Sequence, residues 1–304
     1  MKDSLTVSSS PHIHSGITSK SIMLDVIIAL LPAAVYGTFI FGWRAAVMIA
    51  VCVISAVASE YLWNKALKKP NSLDDLTAVL TGLLLALNLP SSLPFWMAAL
   101  GSVVAILVAK QMFGGLGHNF ANPAITARIV LMVSFPAAMT KFYEPFSTTV
   151  TSATPLANGA EYTIKELFFG MHAGVIGETS VVLLVVGGIY LILRRVISPI
   201  IPLSFIGTVF VFSFILGVNP VSAIFSGGLM LGAFFMATDY VTSPTFKWGK
   251  LVFGVGCGII TVVIRRFAAL PEGVSYAILV MNLLVPHINS LTTPKPFGWE
   301  EQKK

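Results

Sequence analysis

Charge is scarce in this 304-residue chain: Asp, Glu, Lys and Arg make up 11% of it, against roughly 25% in an average soluble domain. That shortage excludes a soluble surface, and with 56% hydrophobic residues and a mean hydropathy of +0.86 it reads as an all-α polytopic membrane protein. Cysteine is nearly absent too. Cys52 and Cys257 lie far apart in apolar runs, with no Cys-x-x-Cys spacing, which excludes a self-contained zinc or iron-sulfur site and leaves two packed thiols. No Gly-x-Gly-x-x-Gly stands in a strand-turn-helix context, so a dinucleotide belongs to a partner rather than to this chain. The net charge of +6 is too thinly spread for a nucleic-acid footprint. The first twenty residues are polar, with Pro11, His12 and His14 ahead of the first apolar run, which argues against a cleavable signal peptide.

What the chain has in quantity is apolar windows, and a helix needs about 20 such residues to cross a hydrocarbon core of about 30 Å. They fall at 22–41, 45–63, 76–89, 95–112, 123–138, 179–193, 200–217, 221–237, 251–264 and 274–289, predicting about ten transmembrane helices. The third is short and ends in Asn88-Leu-Pro-Ser-Ser-Leu-Pro94, and the fifth contains Asn122, Pro123 and Arg128; both read as broken or re-entrant. The Lys and Arg excess sets the orientation. With the N-terminus inside, Lys2, Lys20, Lys65, Lys68, Lys69, Lys110, Arg194, Arg195, Lys247, Lys250, Lys295, Lys303 and Lys304 are cytoplasmic. Only Arg44, Lys141, Lys165, Arg265 and Arg266 are outside. The expected organisation is a cytoplasmic tail 1–20, a first membrane repeat 21–138, an extracytoplasmic loop 139–178, a second repeat 179–290 and a cytoplasmic tail 291–304.

The two halves share a pattern. Gly82-Leu-Leu-Leu-Ala-Leu-Asn-Leu-Pro-Ser-Ser-Leu-Pro-Phe-Trp96 has a counterpart in the run from Gly228 to Trp248, each a span, a Ser/Pro loop and a glycine-containing span, followed by a fifth span. Five spans per copy invert the second copy, the architecture of many transporters, whose sites lie where broken helices meet.

Four stretches carry the functional signal: Ser10-Pro-His-Ile-His-Ser-Gly16, the run from Gly114 through His118, Asn119 and Asn122 to Arg128, Thr151-Ser-Ala-Thr-Pro-Leu-Ala157 with Gly174-Val-Ile-Gly-Glu-Thr-Ser180 behind it, and Ala237-Thr-Asp-Tyr-Val-Thr-Ser-Pro244. Together, in this order and nearly end to end, they resemble the RnfD family of Rnf electron-transport complexes and, more distantly, the related flavin-bearing membrane subunit of the sodium-pumping NADH:quinone reductase. The resemblance implies FMN joined through its phosphate to a threonine in a Ser/Thr-Gly-Ala-Thr-like motif, which Thr154 matches, with Ser152 standing where glycine is common. It further implies a flavin transferase for maturation, other membrane and peripheral Rnf subunits as partners, and a second, non-covalent flavin such as riboflavin. The activity implied is electron transfer between ferredoxin and NAD coupled to Na+ or H+ translocation across a bacterial or archaeal cytoplasmic membrane, which no single subunit completes.

From the residues alone, Thr154 sits among small neighbours, Ser152 and Ala153, with Pro155 holding the segment extended or turned; an ordinary polar turn is the plain alternative. Gly177, Glu178 and Thr179 open the sixth span, where free N–H groups favour an anion, and Thr179 or Ser180 is placed to cap it. Arg128 is costly at membrane depth; it faces a flavin, pairs with a carboxylate such as Asp239, or snorkels to the surface. Asn122 precedes Pro123 at the fifth span and Asp239 follows the eighth, so both fall where helices break. Asp25 and Glu60 are the remaining acids within reach of the membrane. A channel or carrier for a small solute, without a redox cofactor, and a cofactor-free scaffold are the rival readings.

Overall fold

The computed structural model describes residues 18–69, 72–147, 149–151, 162–268 and 272–294. Thr154, Ser152, Ala153 and Pro155 therefore lie outside the described residues.

Each helix begins where the sequence supplies a cap or a break. Thr18 and Ser21 form a reciprocal capping box at the start of α1 (Ser19–Phe41), and Gly42, at φ 72°, turns the chain into α2 (Trp43–Ala66). The Asp75 carboxylate accepts the Thr77 N–H at the start of α3 (Thr77–Leu87). The helix α4 (Phe95–Val103) continues through a π turn, Val104–Val108. Asn122 caps α5 (Pro123–Ser134), with Pro123 at the first helical position where its missing N–H costs nothing. A short α6 (Pro136–Met139) leads to a two-stranded antiparallel ladder, β1 (Phe142–Tyr143) with β2 (Val150–Thr151). Then come α7 (Ile164–Phe169), a 3-10 turn at Ile176–Glu178, and α8 (Val181–Leu193), capped by Ser180. The second half continues with α9 (Ile200–Ile215), α10 (Pro220–Phe225), α11 (Leu229–Leu231) running into a π turn at Gly232–Met236, α12 (Lys247–Phe267) and α13 (Val274–Thr292).

All ten apolar windows are helical at least in part, but among the described residues five helices, Ser19–Phe41, Trp43–Ala66, Phe95–Phe113, Lys247–Phe267 and Val274–Thr292, are long and apolar enough to cross a membrane. Thr77–Leu87 spans about 16 Å at 1.5 Å per residue, half of the hydrocarbon core. Together with α5, it behaves as the sequence suggests for a broken span. The window 221–237 breaks as well: Gly227 and Gly228 take φ of 68° and 63° between α10 and α11, a left-handed pair that ends one helix and starts the next.

Packing repeats between the halves. The helix α2 packs on α3 and α4, and α4 on α5; α9 packs on the Gly232–Met236 turn and α12, and α12 on α13, while α1 lies on α8. Small residues permit the closest approaches. A Cβ on Gly82 would stand 2.8 Å from the Cys52 carbonyl oxygen of α2, and one on Gly258 2.6 Å from Thr208 of α9, the small-residue contact by which helices pack in lipid. Phe205, Phe253, Leu30, Met48, Leu85 and Leu87 fill one continuous core, whereas Phe39, Ile54, Val133, Leu203 and Phe214 point outward, as lipid-facing side chains do.

Gly170 closes α7 at φ 78°, and a Cβ there would overlap the Thr179 carbonyl. Gly170→Ala should therefore destabilise the fold by more than about 2 kcal/mol, positive φ and steric overlap acting together. The check is the apparent melting temperature of the purified chain in detergent, against Gly207→Ala, whose Cβ meets nothing, as control.

Candidate functional site

The broken elements of both halves meet inside the protein, and what joins them is polar. Asn88, one residue past α3, donates from Nδ2 to the Leu84 carbonyl at 2.7 Å and lies 3.3 Å from the Met236 sulfur of the other half. Asn122 Nδ2 donates to the Met236 carbonyl at 3.2 Å while its Oδ1 accepts the Ala124 and Ile125 N–H groups. One side chain of α5 thus caps its own helix and holds the end of the opposite π turn.

Arg128 completes the junction. It is 3% exposed; Nη1 donates to Asn88 Oδ1 at 2.6 Å and Nη2 to the Glu272 carboxylate, an ion pair. The expected pairing with Asp239 is not found. Asp239 accepts instead from the Thr242 hydroxyl at 2.9 Å, a local contact made without a cation. Glu272 takes the arginine because it precedes α13, which packs against α5.

Two further cations read as loop charges are in fact bonded within the protein, Lys110 fully buried and Arg265 partly. Lys110, 2% exposed, places Nζ 2.7 Å and 2.9 Å from the two Glu60 oxygens and 2.6 Å from the Thr77 hydroxyl. Ser72 donates to the same carboxylate and Asn64 donates to Ser72, so every group of this buried network is bonded. Arg265 donates to the carbonyls of Ala223, Ser226 and Gly227 at 2.6–3.0 Å, stitching the carbonyl end of α10 where a helix dipole favours a cation. Asp25 of α1 accepts from the Tyr190 hydroxyl and faces Arg194 at 3.2 Å, tying α1 to α8.

Gly177, Glu178 and Thr179 are buried beneath the end of α3. A Cβ on Gly177 would stand 2.7 Å from the Leu87 carbonyl, the Ile176 N–H donates to the Leu89 carbonyl, and the Thr179 hydroxyl donates to the Ile176 carbonyl; Ser180, not Thr179, caps α8. The Glu178 side chain, 6% exposed, has Oε1 without a hydrogen-bond donor. Nearby, burial pushes the His172 imidazole below its ordinary range; in the neutral ring, Nδ1 faces the Ala173 carbonyl and so carries the proton, leaving the buried Nε2 a free acceptor. At the exposed start of α7, the Thr163 N–H and hydroxyl hold the Glu166 carboxyl below its ordinary range.

At the end of the molecule opposite that turn, a cavity of about 100 Å³ opens between α1, α3, the start of α5 and the segment after the Gly232–Met236 turn. It is lined by apolar side chains together with Thr77, Thr81, Lys110, Asn119, Asn122, Thr238, Asp239 and Tyr240, and the Asn119 Oδ1 has no donor. The predicted site residues therefore divide: Asn122 and Asp239 line this cavity, Arg128 sits at the junction between the halves, and Gly177, Glu178 and Thr179 lie beyond it.

This geometry extends over nearly the whole chain, and so does the similarity to known proteins. Residues 6–298 match the NQR2, RnfD, RnfE family. The chain belongs to that family. It is 47% identical to the D component of the Na(+)-translocating ferredoxin:NAD(+) oxidoreductase complex of Acetobacterium woodii, over 99% of this chain and 97% of the relative. It is 43% identical to the D component of the proton-translocating ferredoxin:NAD(+) oxidoreductase complex of Clostridium ljungdahlii, over 98% and 97%. With the D component of the ion-translocating oxidoreductase complex of Stutzerimonas stutzeri the identity is 36%, over 91% of each. These relatives are named as subunits of ion-translocating oxidoreductase complexes, two of them acting between ferredoxin and NAD+.

Proposed function

We propose that this chain is the flavin-carrying membrane subunit of an Rnf-type complex that couples electron transfer between ferredoxin and NAD to Na+ or H+ translocation. The observation that carries this reading is 47% identity, end to end, with the corresponding component of such a complex. The relatives named for Na+ and for protons are similarly close, so the ion stays open between the two. Its partners are the other membrane and peripheral subunits, which hold ferredoxin and NAD.

The covalent FMN is assigned to Thr154. The β1–β2 ladder ties down the chain up to Thr151, and α7, with its Thr163–Glu166 capping box, ties it down again from Ile164. The Tyr162 ring stands edge-on to His172, centroids 6.1 Å apart, so Tyr162 itself lies against a buried neutral imidazole with a free acceptor. When bound, FMN would supply one- and two-electron redox chemistry, and Thr154 would hold it through its hydroxyl. A riboflavin is a different matter. The amides of Asn119 and Asn122 and the apolar walls suit an isoalloxazine edge, but about 100 Å³ is well short of the roughly 300 Å³ or more of small-molecule pockets. The cavity as it stands does not fit that group.

The repeated packing of α2–α5 and α9–α13 supports two inverted five-element repeats. With Lys110 and Arg265 removed from the charge comparison because their side chains are bonded within the protein, Lys2, Lys20, Lys65, Lys68, Lys69, Arg194, Arg195, Lys247, Lys250, Lys295, Lys303 and Lys304 still outweigh Arg44, Lys141, Lys165 and Arg266, which supports cytoplasmic termini. A carrier without a redox cofactor draws on the same repeats. Expression with and without a flavin transferase separates the readings: the first predicts a yellow polypeptide, fluorescent after denaturation only when the transferase is present, and ferredoxin-dependent NAD reduction in the assembled complex. A colourless chain that still moves solute would support the carrier.

A further inference from the structure

Among the described residues, no cation is bonded to the Glu178 carboxyl at this junction. That carboxyl is enclosed by two glycines: a Cβ on Gly228 would stand 3.0 Å from Oε1, and one on Gly174 2.7 Å from Oε2. The charged and titratable groups facing it come from every neighbouring element. Arg128 of α5 has Nη1 on Asn88 and Nη2 on Glu272. Arg265 of α12 has both terminal nitrogens on the three carbonyls at the α10 break. His172, within 3.5 Å of the same Gly174 position, is held neutral by burial. What remains is the Glu272 carboxylate, held at this junction by Arg128; its negative charge opposes ionisation of Glu178.

A buried carboxylate with a free oxygen and no cation of its own costs several kcal/mol, and such a group takes up a proton instead. Two carboxyl groups also hydrogen-bond to each other only when one of them carries a proton. We propose that Glu178 is a neutral carboxylic acid that donates its proton to Glu272, forming an enclosed proton-binding site between the two halves. Arg128 fixes which of the two acids is ionised, because its guanidinium lies on Glu272. The site makes no use of a flavin and goes beyond the electron-transfer reading: it is a place where a proton is held, and from which it is released if Arg128 or Glu272 moves.

The test is infrared spectroscopy of the full chain in bilayer nanodiscs at pH 7, in H2O and D2O. Wild type should show a protonated-carboxyl C=O absorption that shifts in D2O. Glu178→Gln should remove it, while Glu60→Gln, which alters the acid paired to Lys110, should leave it. Glu272→Gln frees the guanidinium to pair with Glu178, so the absorption should disappear there as well. Because Gln is the neutral isostere of the proposed acid, Glu178→Gln should also melt within a degree or two of wild type. The proposal is overturned by the absence of a protonated carboxyl at pH 7, by one that survives Glu178→Gln, or by a large fall in melting temperature for that variant. An absorption that appears only when Na+ is withdrawn would equally overturn it, identifying a cation rather than a proton between the two acids.

Discussion

Arg128→Leu should leave little correctly folded protein in the membrane fraction. The substitution removes a side chain that bonds the end of α3 and the start of α13 together, at Asn88 and Glu272. It leaves Glu272 as a buried carboxylate without its cation and the Asn88 carbonyl oxygen without its donor. Breaking a buried pair from one side costs about 3–5 kcal/mol, a large share of the roughly 5–15 kcal/mol that holds a typical domain together. Arg128→Lys separates charge from geometry. An ammonium is a single point and reaches Asn88 or Glu272, while the planar guanidinium spans both, so Lys should recover part of the stability. Removing both charges, with Arg128→Leu and Glu272→Leu together, should recover more than half of the single-variant loss, because the penalty lies chiefly in the orphaned charge. Thermal unfolding of the four proteins in detergent checks this. Wild-type stability in Arg128→Leu would mean that the side chain contributes nothing at the junction.

The helices were legible because lipid imposes one strong requirement, an apolar run with its backbone satisfied internally, and every window at 22–41 through 274–289 contains helix. Breaks at Asn88 and Asn122 were legible too, since proline and asparagine within an apolar run have few other roles. The break at Gly227-Gly228 was not. It lies inside a run whose composition suits a continuous span, and only the left-handed φ of two adjacent glycines sets it apart. The ion pairs were the least legible feature. Lys110 and Arg265 stand at the ends of apolar windows, where counting rules place charges in water, and what takes them inside is a partner far away in sequence: Glu60, fifty residues before Lys110, and the carbonyls of α10 for Arg265. Arg128 was recognisable as costly, but its true partner Glu272 follows Pro271 in what reads as an ordinary loop. A charge announces itself in sequence; its counter-charge is chosen by the fold.

Thr154→Val should abolish covalent flavin while leaving the membrane helices intact. Valine keeps the β-branched shape of threonine and removes the hydroxyl, the only atom able to form the phosphoester. Thr154 also falls in sequence between two secondary-structure elements, the β2 strand ending at Thr151 and α7 beginning at Ile164, so the substitution changes no residue of either. Wild type expressed with a flavin transferase should run as a fluorescent band after denaturation, and a peptide containing Thr154 should carry the mass of FMN less water. The Val variant should give a dark band at equal protein yield and unchanged melting temperature, and ferredoxin-dependent NAD reduction by the assembled complex should fall at least a hundredfold, because an electron carrier is missing rather than misplaced. Thr154→Ser keeps a hydroxyl but changes the side chain offered to the transferase, so it measures how strictly that enzyme reads the methyl group. Thr148, Thr149, Thr151 and Ser152 are the internal controls: valine at Thr148, Thr149 or Thr151, or alanine at Ser152, should leave the band fluorescent. Full fluorescence in Thr154→Val would place the attachment elsewhere and remove the assignment of this segment, without touching the family to which the chain belongs.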